Sequence, residues 1–311
     1  MCMARRALNE ATIFLLRPYI VRELPGWGKL YDNFIGYHSA DPRWREDRPR
    51  WIVGKLHGYE IPLDLGYWVN RTTFFLGRYY DLPTQLLIQS VLNKGDTFVD
   101  IGANEGMISL LGSRLVGSTG KVISFEPNPK PRTVFQAALD KNQITNVEIF
   151  PVGLGDRQDE LTLTVPRMNS GEGSFGRPDF ASDQVEVMKC TTAVGDEILA
   201  NAMPKLIKID VEGFELIVLR GLSKTIERAK PLLIVETSMK HLRNAGTELD
   251  DLLEFMNERD YLSYEIGTIR SKGRRKLSLA KWRPRQSDLD SDFLWLHKSK
   301  ETIVDAIVAT V

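Results

Sequence analysis

The sequence predicts an α/β fold built on a doubly wound, mostly parallel seven-stranded sheet, and three observations lead to this prediction. From residue 97 onward, short continuously apolar segments alternate with segments of helical spacing, a pattern typical of parallel strands covered on both faces. Before about residue 85 the composition differs, with four of the six tryptophans and the irregular charged stretch DPRWREDRPRW, which indicates a helical and irregular N-terminal extension. Beyond residue 260, short strands favour an antiparallel pair at the C-terminus.

The predicted elements follow each other in a regular order. KLHGYEIPLDL alternates well enough for a short strand or hairpin, and LPTQLLIQSVL has helical spacing with Pro83 near its first turn. The later elements are, in order, strand TFVDI, helix GMISLLGSRLV, strand KVISFE, helix PRTVFQAALDKNQI, strand NVEIFPVGL, extended segments ELTLTVP and QVEVMKCTT, helix AVGDEILANAM, strand KLIKID, helix ELIVLRGLSKTIERA, strand PLLIVET, helix ELDDLLEFMNERD, and strands YLSYEIG and DFLWLHK.

This order predicts three regions in the chain. Residues 1–85 form an extension expected to bind an acceptor or to act as a lid. Residues 86–300 form the main α/β domain, and residues 301–311 form a C-terminal tail.

Composition limits the class of partner. The chain has 41 basic and 41 acidic residues and no formal net charge, whereas nucleic-acid binders usually carry a basic excess, so we expect no nucleic-acid partner. Two cysteines without metal-like spacing favour a reducing compartment, and we expect a cytoplasmic protein. The amphipathic segment NEATIFLLRPYIVREL allows peripheral attachment to the cytoplasmic face of a membrane, although a helix packed on the main domain is favoured. The sequence leaves the oligomeric state open.

Acidic residues end four of the five central strands. They are Asp100, Glu126, Asp210 and Glu236, while the third strand ends near Gly153 and Asp156. Ligands of doubly wound sheets bind at these carboxyl ends. The spacing DxGxxxG places an acid where the diphosphate of a dinucleotide would be repelled, so it favours a ligand with a cationic amino group. Glu126 follows about 20 residues later, where an acid can bind ribose hydroxyls. These features describe S-adenosylmethionine; the alternative is that Asp100 and Glu126 only cap the helices after them.

Four segments, FVDIGANEG, SFEPNP, PVGLGD and IKIDVEGFELIVLRG, resemble the FkbM-type methyltransferases, a branch of the class I S-adenosylmethionine-dependent enzymes with a Rossmann-like fold. The resemblance covers roughly residues 85–240 and implies O-methylation, most often of a sugar hydroxyl in a glycan, glycolipid or glycosylated natural product. It implies that the methionine end of the cofactor is lined by Asp100, Gly102, Ala103, Asn104 and Gly106. Glu126 and Pro127 would then lie at the ribose, Asn128 and Asp156 near the ribose and adenine, Gly153 near the adenine ring, and Asp210 beside the cofactor.

Candidates for the chemistry lie in KLIKIDVEGFE and at the end of the next strand. Lys208 and Asp210 point to the same side of a strand, and we expect both to reach the mouth of the site; the alternative is an internal ion pair. Asp210 and Glu236 are candidates for deprotonating the hydroxyl or for binding one Mg²⁺ together. His241 is a second candidate base, and Glu212 either joins the site or caps the following helix.

Other functions stay open at this point. They are a non-catalytic adenosyl-ligand binding protein and a methyltransferase for a non-sugar small molecule. Nucleic-acid methylation is disfavoured by the zero net charge and by the absence of an NPPY- or DPPY-like strand end.

Overall fold

The computed structural model describes residues 2–36, 41–46, 48–167, 173–176, 182–271, 274–282 and 290–309. The chain divides into two compact units, the first comprising Met1–Asp81 with Asp140–Gln143 and the second Leu82–Leu139 with Ile144–Val311. Within the described ranges, none of the helices combines the length and the apolar character that a bilayer crossing requires.

The first unit is a small layer of helices and one hairpin. Its elements are α1 (Cys2–Ile20), α2 (Trp27–Phe34), β1 (Arg50–Val53), β2 (Glu60–Leu63) and α3 (Trp68–Leu76). Aromatic side chains form its core, since the rings of Tyr31 and Trp44 meet Phe75 edge to face at 5.8 and 5.7 Å. Helix α1 leaves Phe14 79% exposed and Leu15 68% exposed. Peripheral membrane contact through this helix stays a prediction.

The second unit contains a large sheet, a small sheet and helices. Its elements in chain order are α4 (Leu82–Val91), β3 (Thr97–Ile101), α5 (Met107–Val116), β4 (Lys121–Phe125), α6 (Pro129–Lys141), β5 (Val147–Phe150), β6 (Gly153–Gly155), β7 (Asp159–Pro166), β8 (Val185–Val194), α7 (Gly195–Ile198), β9 (Leu206–Ile209), α8 (Glu215–Gly221), α9 (Ser223–Ala229), β10 (Leu232–Ser238), α10 (Met239–Asn244), α11 (Leu249–Glu258), β11 (Tyr261–Ser271), β12 (Arg274–Lys281), β13 (Asp290–His297) and α12 (Val304–Ala309).

The large sheet confirms the doubly wound, mostly parallel architecture. Its strand order is β12-β11-β13-β10-β9-β3-β4-β5. Strands β5, β4, β3, β9 and β10 are parallel, and β13, β11 and β12 are antiparallel. The chain proceeds from β3 outward to β5 and later returns to β9 on the other side. The switch point therefore lies between β3 and β9, where such folds open a crevice for ligands.

The sheet has eight strands rather than the predicted seven. The additional strand is β12, which pairs antiparallel with β11 from Tyr264↔Lys281 to Ser271↔Arg274. Its sequence RRKLSLAK begins with three basic residues. Such a run is as typical of a solvated turn as of a strand. Positive charge on an edge strand is also a common protection against pairing with other chains.

The third predicted strand ends earlier than expected. Strand β5 stops at Phe150, and residues 153–155 belong instead to a separate three-stranded sheet of order β6-β8-β7. The C-terminal segment is helical through α12, where Ile307 is 5% exposed.

The two faces of the large sheet differ in chemistry. One face carries Val99, Ile209 and Val235, which are fully buried against apolar residues of α8, α9 and α11. Side chains alternate between faces, so the neighbouring positions Asp100 and Lys208, which are paired across β3 and β9, share the opposite face. The charged groups of the central strands are thus gathered on one side of the sheet.

Candidate functional site

The loop after β3 fits closely against its neighbours because it contains glycine at two points. Gly102 has φ 81°, and a Cβ atom there would lie 1.8 Å from the carbonyl oxygen of Asp210. Gly106 has φ 79°, and its Cβ would lie 2.1 Å from Cδ2 of Phe135. Both positions therefore exclude a side chain. The backbone N–H of Ala103 donates to the carbonyl of Phe125 at 3.0 Å, which ties the loop to β4.

Glu126 organises the ends of β3 and β4. Its Oε2 accepts a hydrogen bond from the backbone N–H of Asn104 at 2.8 Å, and its Oε1 accepts one from Asn128 at 2.8 Å. Burial raises the pKa of Glu126 to about 7, against the opposing effect of these two hydrogen bonds. Helix α6 is capped by Asn128, whose Oδ1 accepts from the N–H of Lys130 at 3.0 Å. The capping alternative therefore does not account for Glu126.

Asp100 lies beneath the loop and is 1% exposed. Ser109, in the first turn of α5, donates from Oγ to Asp100 Oδ2 at 2.5 Å, and Ser109 and Ser124 join their hydroxyls at 2.8 Å. Burial raises the pKa of Asp100, while the positive charge of Lys208 opposes the rise. One carboxylate oxygen thus holds α5, as the capping alternative anticipated, and the other, Oδ1, has no hydrogen-bond partner among the described residues.

Three buried polar atoms in this region have no hydrogen-bond partner among the described residues: Asp100 Oδ1, Asn104 Oδ1 and Asn128 Nδ2. Buried polar atoms are rarely left unpaired unless a ligand or solvent reaches them. Two of the three are acceptors, which suits a cationic amino group, and the third is a donor. These residues fit the cofactor that the sequence predicts.

Lys208 and Asp210 form the ion pair that holds the end of β9. Lys208 Nζ donates to Asp210 Oδ2 at 2.6 Å, and the two side chains are 6% and 30% exposed. Burial alone would lower the pKa of Lys208, but the carboxylates of Asp210, Asp100 and Asp292 raise it above its ordinary value. The expectation that both residues reach the mouth of the site holds for Asp210 only, because Lys208 is enclosed beneath it.

The turn after β9 is fixed by Glu215, which sequence reasoning missed. Its Oε1 accepts from the N–H groups of Val211 and Gly213 at 3.1 and 3.0 Å. Glu215 is 1% exposed, and burial raises its pKa to about 7. Glu212, the residue considered as the helix cap, instead has φ 53°. The signal was present in the motif KIDVEGFE, which ends in Glu215.

Glu212 turns towards His241. Its Oε2 lies 2.8 Å from His241 Nδ1, and its carbonyl oxygen accepts a hydrogen bond from Ser174 Oγ at 2.7 Å. The ring of Phe175 packs on Phe214 at 5.4 Å between centroids. Ser174 and Phe175 belong to residues 173–176, the described part of the segment between β7 and β8, and they contact the turn after β9.

Glu236 stands beside a second unpredicted acid, Asp292. The two are paired across β10 and β13, and Thr84 donates from Oγ1 to Asp292 Oδ2 at 2.8 Å. Burial raises the pKa of Glu236 well above its ordinary value, and so do the nearby carboxylates of Asp210 and Glu212. Asp292 reaches the site through antiparallel β13, whose register cannot be deduced from sequence spacing.

The metal pair expected from the sequence, Asp210 and Glu236, differs from the group that the structure assembles. Among the described residues, Glu212, Glu236 and His241 bring their ligand atoms within 4.8 Å of one another. Asp210 is outside this group and is engaged with Lys208.

Asp156 does not end the third strand of the large sheet, where the sequence predicted it, but follows β6 of the small sheet; its place near the ribose and adenine stays a prediction. Gly155 meets the last residue of α8, because a Cβ on Gly221 would lie 2.0 Å from the Gly155 carbonyl oxygen. Six residues separate this end of α8 from Glu215, about 9 Å along the helix. The Asp156 side chain is 39% exposed and lies 3.8 Å from Arg157. The early end of β5 explains the difference.

Gly153 and Pro127 each contact a neighbouring side chain. A Cβ on Gly153 would lie 2.9 Å from Cε2 of Phe175. The carbonyl of Pro127 accepts from Arg132 Nη1 at 3.0 Å. Pro127 therefore helps to fix the segment that carries Glu126.

Comparisons with known proteins identify the family of this chain. A family model described as the methyltransferase FkbM domain matches residues 100–263. The chain is 28% identical over 148 residues to Methyltransferase 1 of Beauveria bassiana, which covers 41% of this chain and 59% of that protein. It is 26% identical over 191 residues to the hexuronic acid methyltransferase AglP of Haloferax volcanii, covering 58% and 69%.

A solved methyltransferase FkbM from Methylobacillus flagellatus shares 22% identity and a TM-score of 0.40, covering 67% of this chain and 48% of that one. The chain thus spans less than two thirds of the B. bassiana protein and about half of the M. flagellatus chain. The family match, residues 100–263 of 311, exceeds half of the chain and includes the loop after β3, Glu126 and the KIDVEGFE turn. It confirms the resemblance seen in the motifs: the chain belongs to the methyltransferase FkbM domain family.

Proposed function

We propose that the protein is an S-adenosylmethionine-dependent O-methyltransferase whose acceptor is a sugar hydroxyl. The observation that carries the proposal is the gathering of Glu212, Glu236 and His241 after β9 and β10. Asp210 lies close to Glu236 and to the loop after β3, where buried acceptors have no hydrogen-bond partner among the described residues. Groups that accept a proton thereby lie beside groups that suit a cationic, ribose-containing cofactor.

The cofactor assignment rests on complementary chemistry. The α-amino group of S-adenosylmethionine is a cation, and Asp100 Oδ1 and Asn104 Oδ1 supply acceptors for it. The ribose hydroxyls are donors, and Glu126 supplies a carboxylate whose two oxygens are already fixed by backbone N–H groups. Because these two oxygens are already held in place, less conformational entropy is lost when the ribose binds.

Asp210 is our candidate for the proton acceptor. In methyl transfer the acceptor oxygen attacks the methyl carbon in line with the breaking carbon–sulfur bond, whose electrons pass to sulfur, and the hydroxyl proton passes to a base. Lys208 fixes Asp210 Oδ2 at 2.6 Å and so orients the carboxylate. Asp210 is also the more exposed member of the pair. Orientation of this kind favours transfer mainly through proximity.

A sugar acceptor is supported by a relative. The protein from Haloferax volcanii is named a hexuronic acid methyltransferase. The acids at the edge of the sheet are acceptors for several hydroxyl groups at once, as sugars present them. We also propose that the protein is cytoplasmic and that its N-terminal region binds the acceptor.

The test is methyl transfer by the full chain to a panel of acceptors. S-adenosylmethionine with an isotopically labelled methyl group is offered with a hexuronic acid glycoside, a neutral hexose glycoside, a catechol and an RNA. We expect label in a sugar methyl ether, identified by mass spectrometry. Label in the catechol or RNA alone would refute the sugar acceptor. S-adenosylhomocysteine binding without transfer to any acceptor would favour a non-catalytic binding protein.

The matched variants are Asp210→Asn and Asp96→Asn. Asp96 Oδ2 accepts from Lys205 Nζ at 2.8 Å just before β3 and β9 begin, so each variant removes one Asp–Lys pair, at opposite ends of β9. We expect Asp210→Asn to bind S-adenosylhomocysteine normally while its turnover falls about 100-fold or more, the usual contribution of a general base. Asp96→Asn should retain turnover. Equal turnover in the two variants would exclude Asp210 as the base.

A further inference from the structure

The cluster of Glu212, Glu236 and His241 combines three kinds of backbone position. Glu212 belongs to the turn after β9, Glu236 to β10, and His241 to the first turn of α10. Their ligand atoms lie within 4.8 Å of one another, and all three side chains are partly buried. Two carboxylate oxygens and one imidazole nitrogen thus converge from three directions.

The backbone around the cluster is fixed on both sides. A Cβ on Gly213 (φ 104°) would lie 2.2 Å from the carbonyl oxygen of His241, so this turn packs directly on α10. Ser174 holds the Glu212 carbonyl at 2.7 Å from the other side. Metal sites depend on such fixed ligand positions, because the ion requires a defined geometry.

The charge balance calls for a cation. Glu236 Oε2 is buried and has no hydrogen-bond partner among the described residues. Asp292 lies opposite Glu236 on β13, and Glu212 places a carboxylate oxygen in the same cluster. Lys208, the ammonium on the same face of the sheet, is paired with Asp210. Buried like charges of this kind are costly unless a cation binds between them.

We propose that Glu212, Glu236 and His241 bind a divalent first-row metal ion such as Mn²⁺. Mixed imidazole and carboxylate ligands suit Mn²⁺, Fe²⁺ or Zn²⁺ better than Mg²⁺, which favours oxygen ligands and retains several waters. The His241 Nδ1 atom, 2.8 Å from Glu212 Oε2, would then bind the ion together with that carboxylate.

The role of the bound ion in catalysis depends on the proposed function. An acceptor hydroxyl that binds the ion loses its proton more readily, and Asp210 receives that proton. The oxygen then forms its bond to the methyl carbon while the carbon–sulfur bond breaks. No oxidant or reductant is required.

Metal binding is measured first without cofactor or acceptor. Mn²⁺ alone is titrated into the chelator-treated full chain and followed by electron paramagnetic resonance. We expect one ion per chain. Its affinity should fall in Glu236→Gln and His241→Ala by more than the roughly 10- to 100-fold that the loss of an outer partner of a metal site costs. Circular dichroism melts show whether each variant is folded.

The control is His297→Asn. His297 is a histidine outside the cluster, with Nδ1 accepting from the N–H of Ser299 at 3.1 Å, and asparagine preserves such a cap. We expect this variant to bind Mn²⁺ as the unmodified protein does. Absence of Mn²⁺ binding, or binding unchanged in folded Glu236→Gln and His241→Ala, would overturn the proposed site.

Transfer assays then separate the two proposals. Metal binding that depends on the cluster, without methyl transfer to any acceptor, supports the metal site and refutes the proposed function. Transfer that is unaffected by EDTA overturns the role of the ion. If the protein binds no Mn²⁺ and His241→Ala still abolishes transfer, the metal site is refuted. Glu212 and His241 then act together as a proton acceptor without a metal.

Discussion

The replacement Glu126→Ala tests the cofactor site most directly. If the carboxylate binds both ribose hydroxyls, each hydrogen bond to a charged group contributes about 1.5–3 kcal/mol. Losing two of them costs about 3–6 kcal/mol, and about 1.4 kcal/mol corresponds to tenfold in affinity. We therefore expect the dissociation constant of S-adenosylhomocysteine, measured calorimetrically at pH 8, to rise about 100-fold to 10,000-fold.

The same replacement also lowers stability, which requires its own control. It leaves the N–H groups of Asn104 and Asn128 without their acceptor, at a cost of about 1–3 kcal/mol each. Asn146→Ala is the matched variant, because its amide donates to the carbonyls of Ser113 and Gly117 at 3.1 and 2.8 Å, at the far end of α5. It should lower the melting temperature and preserve cofactor affinity. A loss of affinity below about threefold in Glu126→Ala, or an equal loss in both variants, would refute our assignment of the ribose site.

Three further predictions follow from the same geometry. Burial raises the pKa of Glu126 to about 7, and only the ionised carboxylate accepts hydrogen bonds from both ribose hydroxyls. Cofactor affinity should therefore decrease as pH falls through 7, by at most about tenfold per pH unit. Calorimetry should give a flatter pH profile of affinity for Glu126→Gln. Gly213→Ala places a Cβ 2.2 Å from the His241 carbonyl and should reduce turnover strongly, whereas Gly246→Ala, also at positive φ but with no atom within 4 Å, should cost only about 1 kcal/mol in thermal melts and retain turnover. Ser174→Ala removes the hydrogen bond to the Glu212 carbonyl and should lower stability by about 1 kcal/mol; an unchanged melting temperature would show that this hydrogen bond contributes nothing to stability.

The sheet and the strand ends were predictable because both depend on local patterns. Apolar strands alternating with helices predict parallel pairing, and acids directly after such strands must meet at one edge. Asp100, Glu126, Asp210 and Glu236 could therefore be identified without knowledge of any contact.

The partners of these acids were not predictable, because they depend on backbone turns and strand register. Glu212 was the cap considered in the sequence, and the left-handed turn at Glu212 and Gly213 leaves Glu215 to hold the turn instead. Asp292 pairs with Glu236 through an antiparallel strand, whose register is set by distant packing. Asp156 was misplaced because the chain leaves the large sheet after Phe150.

The shared face of the central strands also limits how this chain can change in length. Inserting one residue into β10 ahead of Glu236 would turn its carboxylate to the face where Val235 is fully buried, since a shift of one residue exchanges the two faces of a strand. Surface loops away from the turns after β3 and β9 carry no such constraint and tolerate insertions far better. Insertions into this chain are therefore expected to be tolerated in such loops and not in β9 or β10. An engineer who wishes to lengthen the chain would change these loops and keep the strands residue for residue.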